Sequence, residues 1–234
     1  LAAIAAAQPG ATIHVCAGTY PEAIVIDKAL TILGAGRDVT TIDATGVVAT
    51  DTAVDIYQPG GDVTFDGFTI KTKGIADIAT FGVQVVSTTS GSTITVTNNK
   101  IKGTDNTANY EFGLYVHGST ASFVFQHNIV TEGGDNPILI EQNPGATDVS
   151  YNTLDAGSYG LGCYYMTYGS TDVGTLQKFN YNTFDLGTGE AFDSYHAVTG
   201  VSFTGAYRRP SEEYGPGGYS DIEIKGNHFY NGQA

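Results

Sequence analysis

The 234-residue chain has no tryptophan, one methionine, two cysteines and only ten lysines and arginines. Each scarcity excludes something. Two cysteines, Cys16 and Cys163, cannot build the disulfide framework of a small secreted scaffold. Ten basic residues against 24 acidic ones leave a formal charge of -14, and no basic stripe runs along the sequence. A nucleic acid is therefore not an expected partner, because phosphate binding needs clustered lysine and arginine. No apolar run approaches the ~18 residues of a membrane span. No Asn-x-Ser/Thr acceptor occurs. The chain opens on Leu1 inside an alanine-rich stretch, which reads as a processed N-terminus with its export signal gone, and so as an extracellular or cell-envelope protein.

What is abundant points elsewhere. Hydrophobic residues make up 41%, enough for a core, and there are 31 glycines and 15 tyrosines. A repeat organises them. Ile94-x-Val96 leads to Asn99-x-Ile101, and Phe123-x-Phe125 leads to Asn128-x-Val130. The pattern returns as Val149 with Asn152-x-Leu154, Phe179 with Asn182-x-Phe184, and Ile222-x-Ile224 with Asn227-x-Phe229. An earlier copy, Val63-x-Phe65 with Phe68-x-Ile70, has Phe in the Asn position. Successive asparagines lie 29, 24, 30 and 45 residues apart. Between copies runs a second strand motif: Gly82-Val83-x-Val85, Gly113-Leu114-x-Val116, Pro137-Ile138-x-Ile140 and Gly160-Leu161-x-Cys163.

Short alternating strands without helical stripes between them predict stacked turns that pair in parallel, about 4.8 Å apart, around one apolar column. The repeated Asn is expected to take the left-handed corner between two strands and to hydrogen-bond along the column. The fold class expected is all-β: one β-solenoid domain of parallel coils over 1–234, with 206–219 an inserted loop.

The opening stretch, Pro9-Gly-Ala-Thr-Ile-His-Val-Cys-Ala-Gly-Thr-Tyr20, resembles the first coil of the pectin lyase-like superfamily, as do Leu30-Thr-Ile-Leu-Gly-Ala-Gly36 and Val39-Thr-Thr-Ile-Asp43. The Asn-x-apolar turns are similar to those of its surface and periplasmic repeat members, the NosD-like branch. That resemblance implies a single-domain right-handed parallel β-helix of about seven coils with residues 1–9 as a capping helix, and leaves activity open, since this fold hosts lyases, hydrolases, esterases and envelope proteins. A pectate-lyase-type site would pair Ca²⁺-binding carboxylates with a basic Arg or Lys. Only Arg37, Arg208 and Arg209 exist, and the polygalacturonase and pectinesterase motif sets are absent.

Stacking nominates sites that linear spacing hides. Asp155 and Asp185 fall at equivalent places in adjacent turns, where two carboxylates repel unless a cation, Ca²⁺ being the candidate, or a proton intervenes. The competing reading is two solvated side chains turned apart. His117, Glu141 and Tyr164 follow the inward residue of successive coils, a face suited to acid-base work or sugar stacking, or else a plain polar ladder. Tyr207, Arg208, Arg209, Glu212, Glu213 and Tyr214 concentrate in the 206–219 loop as a contact for glycan or another subunit. Cys16 should face outward as an intersubunit thiol, and Cys163 should be buried in the place of Ile140.

The last core strand lies a few residues from Ala234 with no polar cap after it, which suggests either a truncated chain or edges covered by another subunit. The leading expectation is thus a structural subunit of a prokaryotic sheath or surface layer, a homo-oligomer or polymer with no catalytic residue favoured and no cofactor. The alternative is a polysaccharide lyase or carbohydrate-binding protein for acidic glycans, Ca²⁺-dependent if a metal takes part.

Overall fold

A computed structural model describes residues 2–47, 50–74, 78–86, 88–104, 111–131, 136–141, 145–155, 165–167, 176–185, 202–204 and 222–230. A five-residue helix, α1 (Ala2–Ala6), precedes the strands and buries Ile4. The first coil holds β1 (Ala11–Val15), β2 (Gly18–Tyr20) and β3 (Ile24–Ile26). The second holds β4 (Leu30–Gly34), β5 (Thr40–Asp43) and β6 (Thr52–Tyr57). Then come β7 (Val63–Asp66), β8 (Thr69–Lys71) and β9 (Thr80–Val86), followed by β10 (Thr93–Thr97), β11 (Lys100–Lys102) and β12 (Glu111–His117). The fifth coil is β13 (Ser122–Gln126), β14 (Ile129–Thr131) and β15 (Asn136–Glu141). The sixth is β16 (Thr147–Ser150), β17 (Thr153–Asp155) and β18 (Tyr165–Thr167). The seventh is β19 (Gln177–Asn180), β20 (Thr183–Asp185) and β21 (Ser202–Thr204), and an eighth contributes β22 (Ile222–Lys225) and β23 (His228–Tyr230).

Every strand pairs in parallel with the strand three places on, giving three sheets of eight, eight and seven strands. Sheet A runs from β1 to β22, sheet B from β2 to β23 and sheet C from β3 to β21. This is the parallel β-helix the repeat predicts, with seven full coils and part of an eighth. The registers put like on like. On sheet B the inward row is Ile42, Ile70, Ile101, Val130, Leu154 and Phe184, all essentially sealed from solvent. Sheet A stacks Ile32, Phe65, Val96, Phe125, Val149 and Phe179 in the same way. No helix among the described residues is long and apolar enough to cross a membrane.

The asparagine row is buried and fully bonded. Oδ1 of Asn99 accepts from the Phe68 N–H, that of Asn128 from Asn99, that of Asn152 from Asn128, and that of Asn182 from Asn152, each at 2.9 Å. Each Nδ2 donates back to a strand carbonyl of the preceding coil: Asn99 to Phe65, Asn128 to Val96, Asn152 to Phe125 and Asn182 to Val149. The expected left-handed corner is displaced by one residue. Asn98, His127, Tyr151 and Tyr181, each just ahead of a ladder asparagine, carry the positive φ of 55–60°, with Gly67 and Gly226 at the same place in the flanking coils. The reason is geometric: the ladder side chain has to point inward to reach its partners, so the reversal is made one residue earlier. Left-handed backbone costs a non-glycine residue about 1–2 kcal/mol. Stacking of His127 on Tyr151 at 5.2 Å and of Tyr151 on Tyr181 at 5.1 Å offsets part of that.

Two glycines of the second strand motif are there for want of room. A Cβ on Gly82 would lie 2.6 Å from the Gly113 carbonyl oxygen, and one on Gly113 2.6 Å from that of Pro137. Both carbonyls are backbone and cannot step aside. The in-out alternation breaks at this point: Gly82 and Val83, and Gly113 and Leu114, are buried in succession, while the preceding Phe81 and Phe112 stay half-buried on the outer face.

Candidate functional site

The outer face of sheet C carries the densest chemistry among the described residues. His117 ends β12 and Glu141 ends β15, and the register sets them side by side as the sequence predicts. Their closest approach, His117 Nδ1 to Glu141 Oε2, is 3.4 Å. That is an ion-pair distance without hydrogen-bond alignment, for Nδ1 is buried and makes no hydrogen bond. The tyrosine of the site is not the expected one. Tyr115, one outward step back along β12, donates its hydroxyl to Glu141 Oε2 at 2.8 Å. Tyr164 lies outside the described residues, as does Cys163. On β18 it is Thr167 that pairs with Glu141, and Met166 that pairs with Ile140, the place the sequence pattern gave to Cys163. Leu161-x-Cys163 matches the apolar-x-apolar motif three residues before the strand that pairs with β15, which is what drew the expectation to Cys163.

Rings build a ledge beside this pair. Phe81 stacks on Tyr115 at 4.9 Å and on Phe112 at 5.5 Å, and Tyr115 stacks on His117 at 5.7 Å. All four are half-buried. They are neighbours because β9 and β12 are in register, Phe81 beside Phe112 and Gln84 beside Tyr115. Sequence reading missed Phe81, Phe112 and Tyr115. The available signal was their place in the repeat, immediately before the motif glycine or between its two apolar residues.

The row of Tyr115 continues to Gln84 and Asp55. Asp55 Oδ1 is buried with no hydrogen-bond partner, and loss of hydration, with the charge of Asp51 nearby, raises its carboxyl from the ordinary range to about 6. Burial, reinforced by the bond to Glu141, pushes the Tyr115 phenol well above its usual value, so it stays protonated and acts as a donor. Its proton fixes Glu141 Oε2, leaving the other carboxylate oxygen to a ligand. Strands β3, β6, β9, β12 and β15 hold no lysine or arginine. Among the described residues the face therefore offers ring surface, a positioned carboxylate, an amide and a carboxyl raised to about 6, with no lysine or arginine to hold an anion.

The other predicted residues fall elsewhere. Asp155 and Asp185 do pair across β17 and β20, half-buried on the outer side of sheet B. No group of three or more His, Cys, Asp or Glu side chains converges as a metal set among the described residues. Cys16 is exposed and unpaired, its carbonyl accepting the Tyr20 hydroxyl at 2.9 Å. Tyr207, Arg208, Arg209, Glu212, Glu213 and Tyr214 lie outside the described residues. An apolar cavity of about 260 Å³ sits under α1, lined by inward residues such as Ile4, Ile13, Ile24, Ile32 and Phe68, and belongs to the end of the core.

Among solved structures, pectin methylesterase from Yersinia enterocolitica is similar over 100% of this chain and 90% of its own, at 14% identity and a TM-score of 0.53. A pectin methylesterase variant in complex with a hexasaccharide aligns over 100% and 85% at 11% identity, with a TM-score of 0.39 that carries no argument. No family model and no curated protein matches the chain, so the narrower kinship to NosD-like repeat proteins is without support. At these identities the likeness establishes the shared parallel β-helix fold.

Proposed function

We propose that this protein binds a polysaccharide along the outer face of sheet C, which keeps the carbohydrate-binding part of the alternative reading and replaces its acidic glycan with a neutral or esterified one. The observation that carries it is the convergence of Phe81, Phe112, Tyr115 and His117 on a carboxylate whose orientation Tyr115 fixes. Pyranose rings bring apolar faces that pack on aromatic surface and hydroxyls that donate to carboxylate and amide oxygens. The fold's presence in a pectin methylesterase supports a glycan ligand. The electrostatics narrow the class. Among the described residues the face carries Asp51, Asp55 and Glu141 and no lysine or arginine, a charge that repels uronate carboxylates and favours a neutral or esterified chain.

The test is affinity electrophoresis in gels containing methyl-esterified pectin, a neutral glucan or de-esterified polygalacturonate, on wild type and Phe112→Ala. Retardation by a neutral or esterified polymer, lost in Phe112→Ala, is the expected result. Equal mobility in every gel would remove this reading.

A further inference from the structure

Asp55 and Gln84, on the N-terminal side of the aromatic ledge, are adjacent polar groups with unfilled hydrogen-bonding capacity. Their outward row on sheet C begins at Val25 on β3, passes to Asp55 on β6 and then to Gln84 on β9, each one rung from the next. Asp55 Oδ1 is buried and finds no hydrogen-bond partner. The Thr52 hydroxyl, shared with Asp51 Oδ1, donates to Gln84 Oε1 at 3.1 Å, which leaves the Nε2 end of the amide to donate outward. Val25, on the other side of Asp55, is 44% exposed, and Tyr57, two residues along β6, equally so.

Among the described residues the groups that face Asp55 bring it no cation. From β3 it meets Val25, with Asp27 just past the strand, and from β9 it meets Gln84; Asp51 precedes its own strand and Tyr57 ends it. Lost hydration, reinforced by the charge of Asp51, raises the Asp55 carboxyl to about 6. A carboxyl in that setting keeps its proton in mildly acid solution and then donates, where a carboxylate can only accept. The row thus presents two neutral donors, a carboxyl O–H and an amide N–H, on neighbouring rungs about 4.8 Å apart, with an apolar side chain beside them. A carbonyl oxygen carried next to a methyl group answers that arrangement. An acetyl group on a neutral polysaccharide supplies both and brings no charge for Asp51 to repel, whereas a uronate chain carries carboxylates wherever its esterification is incomplete.

We propose that Asp55, as the protonated acid, and Gln84 hold the carbonyl of an O-acetyl group on the glycan bound by sheet C, so that retention of the glycan depends on the Asp55 proton. The inference rests on the sheet C reading and names the substituent that site selects. No covalent bond is made or broken. As pH rises through the titration of Asp55 its proton passes to solvent, and a carboxylate then faces the carbonyl oxygen, acceptor against acceptor.

The test measures the affinity of the full-length protein for O-acetylated glucomannan, and for the same polymer after alkaline deacetylation, at about pH 5 and about pH 7.5. Wild type should bind the acetylated polymer about tenfold more tightly at the lower pH, the worth of one hydrogen bond. The deacetylated polymer should bind more weakly and alike at both. Asp55→Asn, whose amide donates at every pH, should hold at the higher pH the affinity that wild type shows at the lower. Gln84→Ala should lose about fivefold at both. Equal affinity for the two polymers would overturn the proposal. So would a pH dependence that Asp55→Asn leaves in place, which would assign it to His117, two strands away. In either case the sheet C reading stands on its own Phe112→Ala test. Tighter binding of methyl-esterified pectin than of acetylated glucomannan would overturn the assignment to acetyl, and no binding of any polymer would remove both readings.

Discussion

Two rows of side chains one residue apart on sheet B behave as if they belonged to different proteins. The inward row, Ile42 to Phe184, changes only among aliphatic and aromatic residues over six coils. The outward row on the same strands runs Asp43, Lys71, Lys102, Thr131, Asp155, Asp185 and reverses its charge twice. Both rows share one register and one rung spacing, so geometry does not separate them. Packing does: an inward residue must fill a column at near-crystalline density beside copies of itself, whereas an outward one meets water. Repetition thus marks what holds the fold, and departures from repetition mark where chemistry can be placed. Sheet C follows the same rule, with Val85, Val116 and Ile140 inside and Val86, His117 and Glu141 outside.

The comparison breaks most severely where an inward row is polar by design. Asn128→Ala would orphan the Asn99 N–H and the Val96 carbonyl, both buried. At 1–3 kcal/mol per unsatisfied group the loss is about 3 kcal/mol, or a fall of roughly 6–12 °C in Tm for a chain of this size. Calorimetry checks it. A change below about 1 kcal/mol would mean that water or neighbours replace the ladder, and that its repetition is not stabilising.

Next in size is Gly113→Ala. The added methyl meets the Pro137 carbonyl oxygen and the Val130 side chain, and should cost about 1–3 kcal/mol as an overpacked site. It also moves Phe112, so ring contacts to a glycan should weaken together with Tm. Loss of Tm with intact glycan binding would show that the close approach at Gly113 does not set the aromatic ledge.

These two substitutions sit where the sequence was easiest to read, and for one reason. The 3-residue strands and their apolar alternation repeat every turn, so each coil confirms the others, and the fold, the asparagine ladder, and the pairings of Asp155 with Asp185 and of His117 with Glu141 were all legible. What was not legible depends on departures from the repeat. Tyr115, Phe81 and Phe112 carry no motif of their own, since an outward aromatic on a strand is as compatible with a plain surface as with a site. The left-handed turn was assigned to Asn because Asn tolerates it, yet inward hydrogen bonding claims that residue and leaves Tyr151 or Tyr181 to make the bend. The pairing of Lys71 with Lys102 was invisible because the two are 31 positions apart in sequence and one rung apart in space.

A smaller effect separates the two rows by pH. Asp55 is outward but half-buried, and its carboxyl is raised from 3.8 to about 6 by lost hydration. The native state therefore holds a proton there that the unfolded chain has released between about pH 4 and pH 6, so stability falls as pH rises through that window. Asp55→Asn should remove this fall and be more stable than wild type above pH 6, by about 1 kcal/mol once solvent access is discounted. Urea midpoints at about pH 4.5 and pH 7.5 decide it. A variant that tracks wild type at both would mean that the carboxyl is hydrated and titrates normally.

The smallest expected change in stability is also the sharpest test of the site. Tyr115→Phe keeps the ring that stacks on Phe81 and deletes only the hydroxyl that holds Glu141 Oε2. On an outward row this should shift Tm by no more than about 2 °C, because Glu141 can turn to water. Affinity for a neutral or esterified glycan should nevertheless drop about fivefold, the equivalent of one hydrogen bond, since the carboxylate is no longer aimed. The Glu141→Gln variant should lose a similar factor, and the double variant little more, because the two side chains act through one contact. Additive losses would show that Tyr115 and Glu141 touch the sugar separately, and the role of Tyr115 would change from positioning the carboxylate to binding the ligand itself.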